Sequence, residues 1–400
     1  MILLPETEAE AAEMIRAAAA RKTRLALGGN NTRAGFGNLF QADAALRSTG
    51  LSGILDYDPA EMVMSAQAGT PLATIEAALA RNRQMLAFEP MDHRPVMATG
   101  GEPTVGGVFA ANVSGPRRFV GGAARDSLLG LRFVNGRGEA IRAGGRVMKN
   151  VTGLDLVKLL AGSHGTLGFI TAVTFRVLPV PQTAATVVVA DLDDAQAAKA
   201  MAAAMALSVE VSGAAHLPPS VKGRFADGRL PGGAVTVLRL EGLAASVALR
   251  SETLCAAMQR FGPITQLGAE DTATLWREIR DVSPYADKTE RPLWRVSAPP
   301  SAGHRLVAAL RLEAGIDAFY DWQGGLVWMR MEAEPEGELL RRALRAAGGG
   351  HATLLRASKA ARATTPAFEP EAPALAALSA RVKAQLDPAG IFGPGKMGGF

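Results

Sequence analysis

The stretch Gly100-Gly101-Glu102-Pro103-Thr104-Val105-Gly106-Gly107-Val108-Phe109-Ala110-Ala111-Asn112-Val113-Ser114-Gly115 decides how the rest of the chain is read. Gly106-Gly107 opens a short apolar helix, whose first N–H groups lack intrahelical partners and are expected to form an anion site. Asn112, Ser114 and Gly115 close that helix with polar groups, and Arg117-Arg118 follows. A helix serving only a hydrophobic core has no need of paired glycines at its start.

Two further glycine clusters flank it. Upstream, a predicted strand runs into Leu25-Ala26-Leu27-Gly28-Gly29-Asn30-Asn31-Thr32-Arg33, a turn that can aim backbone and side-chain donors at an anion. The motif is not GxGxxG and no suitably spaced acid follows, which argues against a Rossmann fold; no GxxxxGK[ST] is present either. An ordinary tight turn remains the alternative for this cluster taken alone. Downstream, Lys149-Asn150-Val151-Thr152-Gly153 leads into Gly162-Ser163-His164-Gly165-Thr166-Leu167-Gly168-Phe169-Ile170. Such small residues let main chain lie against a flat ring. His164 is expected to be solvated or satisfied rather than catalytic.

Around these clusters, helices are predicted at Glu6–Arg21 and Pro71–Arg81, with strands at Arg24–Leu27, Val63–Ala68 and Leu167–Leu178. Leu128–Val134 and Glu139–Ala143 flank Asn135-Gly136-Arg137-Gly138, a hairpin signal. Pro179-Val180-Pro181 reads as a linker. Beyond it, strands at Thr186–Leu192, Val209–Ala215, Ala234–Glu241 and Ile264–Leu267 enclose helices at Asp194–Ala206 and Ala244–Phe261. Leu293–Ala347 repeats the β-α-β-β-α order and Ala352–Leu355 closes it. Two ferredoxin-like units side by side would form one antiparallel sheet covered by helices. The class is therefore α+β, with divisions expected at 1–180, 181–365 and a C-terminal helix and tail at 366–400.

Composition narrows the function. At 400 residues, 48% hydrophobic and 20% charged, the chain is ordinary globular material. Cys255 is its single cysteine, which excludes an internal disulfide, a thiolate zinc site and an in-chain iron–sulfur cluster. Five scattered histidines form no HxxH or HxxxH pair, so a metal-centred enzyme is not expected. Met1 to Glu13 holds four glutamates and no basic region, so no secretory leader is expected. The longest uncharged run, Leu159–Phe175, is too short and glycine-broken for a transmembrane segment. The net charge is +5, whereas residues 117–149 alone carry eight basic and two acidic side chains. Residues 181–400 carry only +1 and lack an RNP1-like stretch, which disfavours RNA.

Together the clusters resemble the FAD-binding domain of the vanillyl-alcohol oxidase/para-cresol methylhydroxylase (PCMH) type. Within that superfamily the chain is similar to the glycolate oxidase FAD-binding subunit family. The matching residues are Gly28-Gly29-Asn30-Asn31, Thr104-Val105-Gly106-Gly107, Ala111-Asn112-Val113-Ser114-Gly115-Pro116-Arg117-Arg118 and Arg125-Asp126. To these are added Val147–Asp155, Gly165–Gly168 and Asp387-Pro388 with Phe392–Met397. The resemblance covers residues 20–180 and the tail by motif, and the middle by architecture only.

This resemblance implies a PCMH-type domain of two α/β subdomains with a cap, and a bound FAD. It assigns Gly28, Gly29, Asn30, Asn31, Thr32, Thr104, Gly106 and Gly107 to the pyrophosphate. Asn112, Ser114 and Gly115 fall to the ribityl chain and flavin, and Gly165, Leu167, Gly168 and Ile170 to backbone contacts toward the ring and adenine. Lys396 would reach the flavin, where a cation favours an anionic reduced ring. The first loop contains no histidine, so the FAD is expected to be non-covalent. Asn30 replaces a frequent third glycine, and Gly393 stands where relatives often carry Asn.

Relatives that oxidise 2-hydroxy acids commonly carry a histidine-rich, metal-associated cluster in the cap. Here His216, His304 and His351 stand singly, so no catalytic residue is assigned. The implied division of labour is that a sister FAD subunit oxidises glycolate to glyoxylate, with an iron–sulfur subunit as a further partner and this chain's FAD supporting electron transfer. The complex would be cytoplasmic or peripheral on the inner membrane. A free-standing 2-hydroxyacid dehydrogenase and a flavin-free scaffold are the alternatives.

Overall fold

The computed structural model describes residues 1–146 and 153–398; Lys149, Asn150 and Thr152 of the third cluster lie outside them. The chain opens with a helix over Glu8–Arg21. The Thr7 hydroxyl caps it by accepting from the Glu10 N–H, Glu8 and Glu10 occupy the first turn, and Arg21 the last. Ala11, Ala12, Ile15 and Ala18 form its buried face, and these small side chains allow close packing beneath Leu25, Leu46, Val134 and Phe392.

Strand Ala44–Arg47 is the centre of a parallel three-stranded sheet, flanked by Ile2–Leu3 and Leu25–Gly28. The C-terminal tail covers its open edge: Leu25 N donates to Ile391 O at 2.7 Å and Gly393 N to Leu25 O at 3.0 Å. A second sheet is antiparallel, in the order Ile54–Asp58, Val63–Gln67, Phe169–Arg176, Leu128–Val134, Ala140–Gly144. Its central strand, Phe169–Arg176, is buried along nearly its whole length. Leu178–Pro179 pairs with Gln84–Met85, so the proline-rich stretch begins as a short strand rather than as free linker.

The third sheet has eight strands. Ile264–Leu267, Thr183–Ala190, Val235–Gly242 and Gly213–Leu217 form one half, and Ile316–Asp321, Leu326–Met331, Leu293–Ser297 and His351–Arg356 the other. Each half is a βαββαβ unit in ferredoxin-like strand order, and the two meet where His216 pairs with Tyr320. Strand alternation decides what lies on each face. Val187 and Val189 pack under helices Asp194–Met205 and Ala244–Met258, whereas Val188, Ala215 and Val237 join the core shared with the N-terminal half. The strand expected over Val209–Ala215 forms instead at Gly213–Leu217, against helix Ala269–Arg280: a Cβ on Gly213 would lie 2.7 Å from the Trp276 ring.

Ion pairs tie the two halves. Arg239 of the large sheet donates to Glu89 at 2.8 Å, and Arg117 donates to Glu241 at 2.7 Å. Among the described residues no helix is long and apolar enough to cross a membrane.

Candidate functional site

The turn after strand Leu25–Gly28, the start of helix Val105–Ala110, the Gly165–Ile170 segment and the tail at Lys396 border an open cleft with a cavity volume of about 130 Å³. Of the residues predicted from sequence, Gly28, Gly29, Asn30, Asn31, Thr32, Thr104, Gly106, Gly107, Gly165, Gly168, Ile170 and Lys396 line it. Asn112, Ser114, Gly115 and Leu167 do not. Asn112 Oδ1 accepts from Arg125 N, Ser114 Oγ from Ala124 N, and Gly115 N donates to Phe88 O. These groups are spent on hydrogen bonds within the cofactor-binding half.

Close approach explains two of the glycines. A Cβ on Gly29 would run into the Thr104 hydroxyl, and one on Gly106 would sit 2.5 Å from Ala68 Cβ. The turn is therefore pressed onto the helix start, and the helix start onto strand Val63–Gln67. Asn31, not the glycine-replacing Asn30, takes the left-handed conformation in this turn, at φ +62°.

The helix start does not offer the free donors expected of it. Val105 N donates to Thr70 O at 3.0 Å, Gly106 N to Ala68 O at 2.9 Å, and Gly107 N to the Thr104 hydroxyl at 3.4 Å. Packing against the neighbouring strand has consumed them. Free donors lie in the turn instead: Gly29, Asn30, Asn31 and Thr32 N–H have no partner among the described residues.

Cations complete the cleft. Arg33 and Lys396 line it, and Arg47, from the strand beside the turn, donates to Asn31 Oδ1. Among the described residues no side chain lining the cleft is a carboxylate. Burial, with the Arg33 and Arg47 charges, brings the Lys396 ammonium down to about 8; burial brings Arg33 down to about 10. Unmatched positive charges around a donor-rich turn fit a bound dianion such as a pyrophosphate, and the small-residue wall fits a flat ring system. Sequence reading missed Arg33 and Arg47. Arg33 stood inside the quoted motif, whereas Arg47 gave no signal, because strand Ala44–Arg47 is alanine-rich.

His164 closes one wall. Its ring lies between Phe36 and Phe368, with centroids at 4.9 and 5.3 Å, and Lys396 Nζ donates to its carbonyl oxygen at 3.1 Å. Burial and the adjacent Lys396 charge push its imidazole well below the usual histidine range, so it is neutral and packed.

Comparison with known proteins agrees with this geometry. Residues 1–144 match the FAD binding domain family. The fold superposes on p-cresol methylhydroxylase with a TM-score of 0.71 at 14% identity, over 99% of this chain and 88% of that one. The fold is thus that of the PCMH-type flavoproteins, and its N-terminal part is an FAD binding domain. Glycolate oxidase subunit GlcE of Escherichia coli K12 is 33% identical over 386 residues, covering 96% of this chain and 95% of that protein. The chain belongs to the family of that subunit. Glycolate oxidase subunit GlcD of Bacillus subtilis 168 is 34% identical over 130 residues, which is 32% of this chain and 26% of that protein.

Proposed function

We propose that the chain is the FAD-binding subunit of a glycolate oxidase complex, supporting oxidation of glycolate to glyoxylate. The observation that carries this reading is the extent of the similarity to the GlcE subunit, which runs through the eight-stranded sheet as well as the cofactor-binding half. Similarity to the GlcD subunit stops at about a third of the chain. The partners in this reading are a sister FAD-containing subunit and an iron–sulfur subunit, because Cys255 alone cannot hold a cluster that would take electrons onward. The complex works in the cytoplasm, and any association with the inner membrane is made through it.

FAD supplies a two-electron acceptor that can pass electrons on singly. The chain's own residues bind and orient it without a covalent bond. The Gly29–Thr32 N–H groups and the Arg33 and Arg47 cations hold the pyrophosphate, Lys396 reaches toward the flavin, Thr104 with Gly106 and Gly107 fixes the turn, and Gly165, Gly168 and Ile170 border the ring and adenine side. Residues 1–180 form the FAD-binding part, 181–365 the cap, and 366–400 the returning helix and tail.

The test compares the isolated chain with the co-expressed complex, each mixed with glycolate and a dye acceptor. Turnover by the complex with none by the isolated chain supports the reading; robust turnover by the chain alone favours a free-standing dehydrogenase.

A further inference from the structure

His164 stands where glycine would strain the backbone less. Its φ is +51° and that of the next residue, Gly165, is +77°, so two consecutive residues are left-handed. Glycine takes that region freely, whereas a residue with a Cβ is strained there. Two bonds hold the strained residue in place: His164 N donates to Ala110 O at 2.8 Å, and Lys396 Nζ donates to His164 O at 3.1 Å. Strain of this kind concentrates at ligand-binding sites, where the side chain it carries is used.

The surroundings of the imidazole leave its polar edge uncommitted. Phe36 and Phe368 lie against it with their planes tilted by 43° and 51°, and the two phenyl rings meet edge-on at 5.5 Å. A phenyl ring offers a nitrogen neither an N–H nor a carbonyl. Among the described residues neither ring nitrogen of His164 has a hydrogen-bond partner. Other histidines are engaged: His93 Nδ1 with the Met91 carbonyl at 3.2 Å, and His216 Nδ1 with the Thr236 hydroxyl at 3.0 Å. The open space beside His164 is the cofactor cleft, which it lines together with Phe36 and Lys396.

Charge decides what that edge can offer. Burial, with Lys396 and Arg33 close by, keeps the imidazole neutral. A neutral imidazole carries one N–H donor and one bare acceptor nitrogen in a single plane. The pyrimidine end of a flavin presents carbonyl acceptors on either side of an N–H donor, also in one plane, so the two edges are complementary.

We infer that His164 hydrogen-bonds the edge of the bound flavin through its ring nitrogens, beside Lys396, and thereby favours the reduced cofactor. The inference rests on the reading of this chain as an FAD-binding subunit in which Lys396 reaches toward the flavin. Reduction places negative charge on the pyrimidine end, and a hydrogen bond to an anionic acceptor is about twice as strong as one to a neutral acceptor. An N–H aimed there stabilises the reduced form more than the oxidised one. Adenine also presents a donor beside an acceptor, but its charge does not change on reduction, so a redox measurement separates the two.

The test uses the full-length chain loaded with excess FAD. The midpoint potential is measured by equilibration with a reference dye, and FAD affinity by flavin fluorescence. His164→Phe keeps the aromatic packing and removes both nitrogens. It is expected to lower the potential by about 30 mV, a tenfold loss of affinity for reduced relative to oxidised flavin in a two-electron couple. His164→Asn tolerates the left-handed backbone, keeps a donor and an acceptor, and is expected to fall between. His164→Gly relieves the backbone strain, carries the same expectation as His164→Phe, and replaces it should the bulkier ring prevent folding. A wild-type potential in the variant without nitrogens overturns the inference even if its melting temperature falls, because a packing role moves stability alone. Weaker FAD binding at an unchanged potential also overturns it, since the ring would then serve the adenine. A wild-type chain that takes up no FAD overturns this inference and the proposed function together. A wild-type chain that binds FAD and supports glycolate turnover in the complex, with unmoved potentials in the variants, overturns this inference alone.

Discussion

Lys396 Nζ donates to the carbonyl oxygen of His164 at 3.1 Å, joining residues 232 positions apart at the rim of the cofactor cleft. The tail that brings Lys396 there is itself secured. Lys383 Nζ donates to Asp387 Oδ2 at 2.6 Å and to Phe392 O at 2.9 Å, and Asn38 N donates to Lys396 O at 2.9 Å. The C-terminal tail thereby supplies a cation that lines the cleft.

Lys396→Met is expected to weaken FAD binding about tenfold with little change in thermal stability, measured by quenching of flavin fluorescence. The pH dependence has a definite sign. In the free protein Lys396 loses its proton near pH 8, and the negative charge of a bound FAD favours the charged form. Affinity is therefore full below that pH and falls as pH rises above it. The Lys396→Met variant should lack this decline.

Gly106→Ala places a methyl 2.5 Å from Ala68 Cβ and close to the Ala68 carbonyl. Overpacking of this kind costs about 1–3 kcal/mol. A lowered melting temperature and reduced flavin content are expected together, read by calorimetry and by absorbance.

Arg239→Met leaves Glu89 without the cation that holds it at 2.8 Å across the two halves. Removing one partner of a buried ion pair costs about 3–5 kcal/mol. The loss should appear as a lower urea midpoint, because Arg239 is 4% exposed and water cannot replace it.

Burial pushes the Asp321 carboxyl up to about 7. Its folded-state pKa thus lies above the unfolded value, so the folded protein holds more protons between about pH 4 and 7 and this group's contribution to stability falls as pH rises through that window. Asp321→Asn should remove that component, seen as a flatter dependence of unfolding free energy on pH than in the wild type.

Much of this architecture was legible from sequence, and the exceptions have physical causes. Val63–Gln67, Leu128–Val134 and both ferredoxin-like units announced themselves by branched residues, alternation and turn chemistry. Ala44–Arg47 did not: its alanines have little strand preference, and neighbours on both sides impose the conformation. That omission hid Arg47. The motif Thr104–Gly107 located the cleft but misassigned its donors, since motif reading cannot show that Ala68 and Thr70 already accept them. The stacking of Arg118 on Trp322 is long-range in sequence and had no local signal.

The most direct measurement of the central claim is the flavin content of the purified full-length chain. The cleft predicts one FAD per chain, released into the supernatant by acid precipitation, with Lys396→Met and Gly106→Ala both depleted of it. A colourless chain that takes up no added FAD, or a flavin that stays with the precipitated protein, would contradict it.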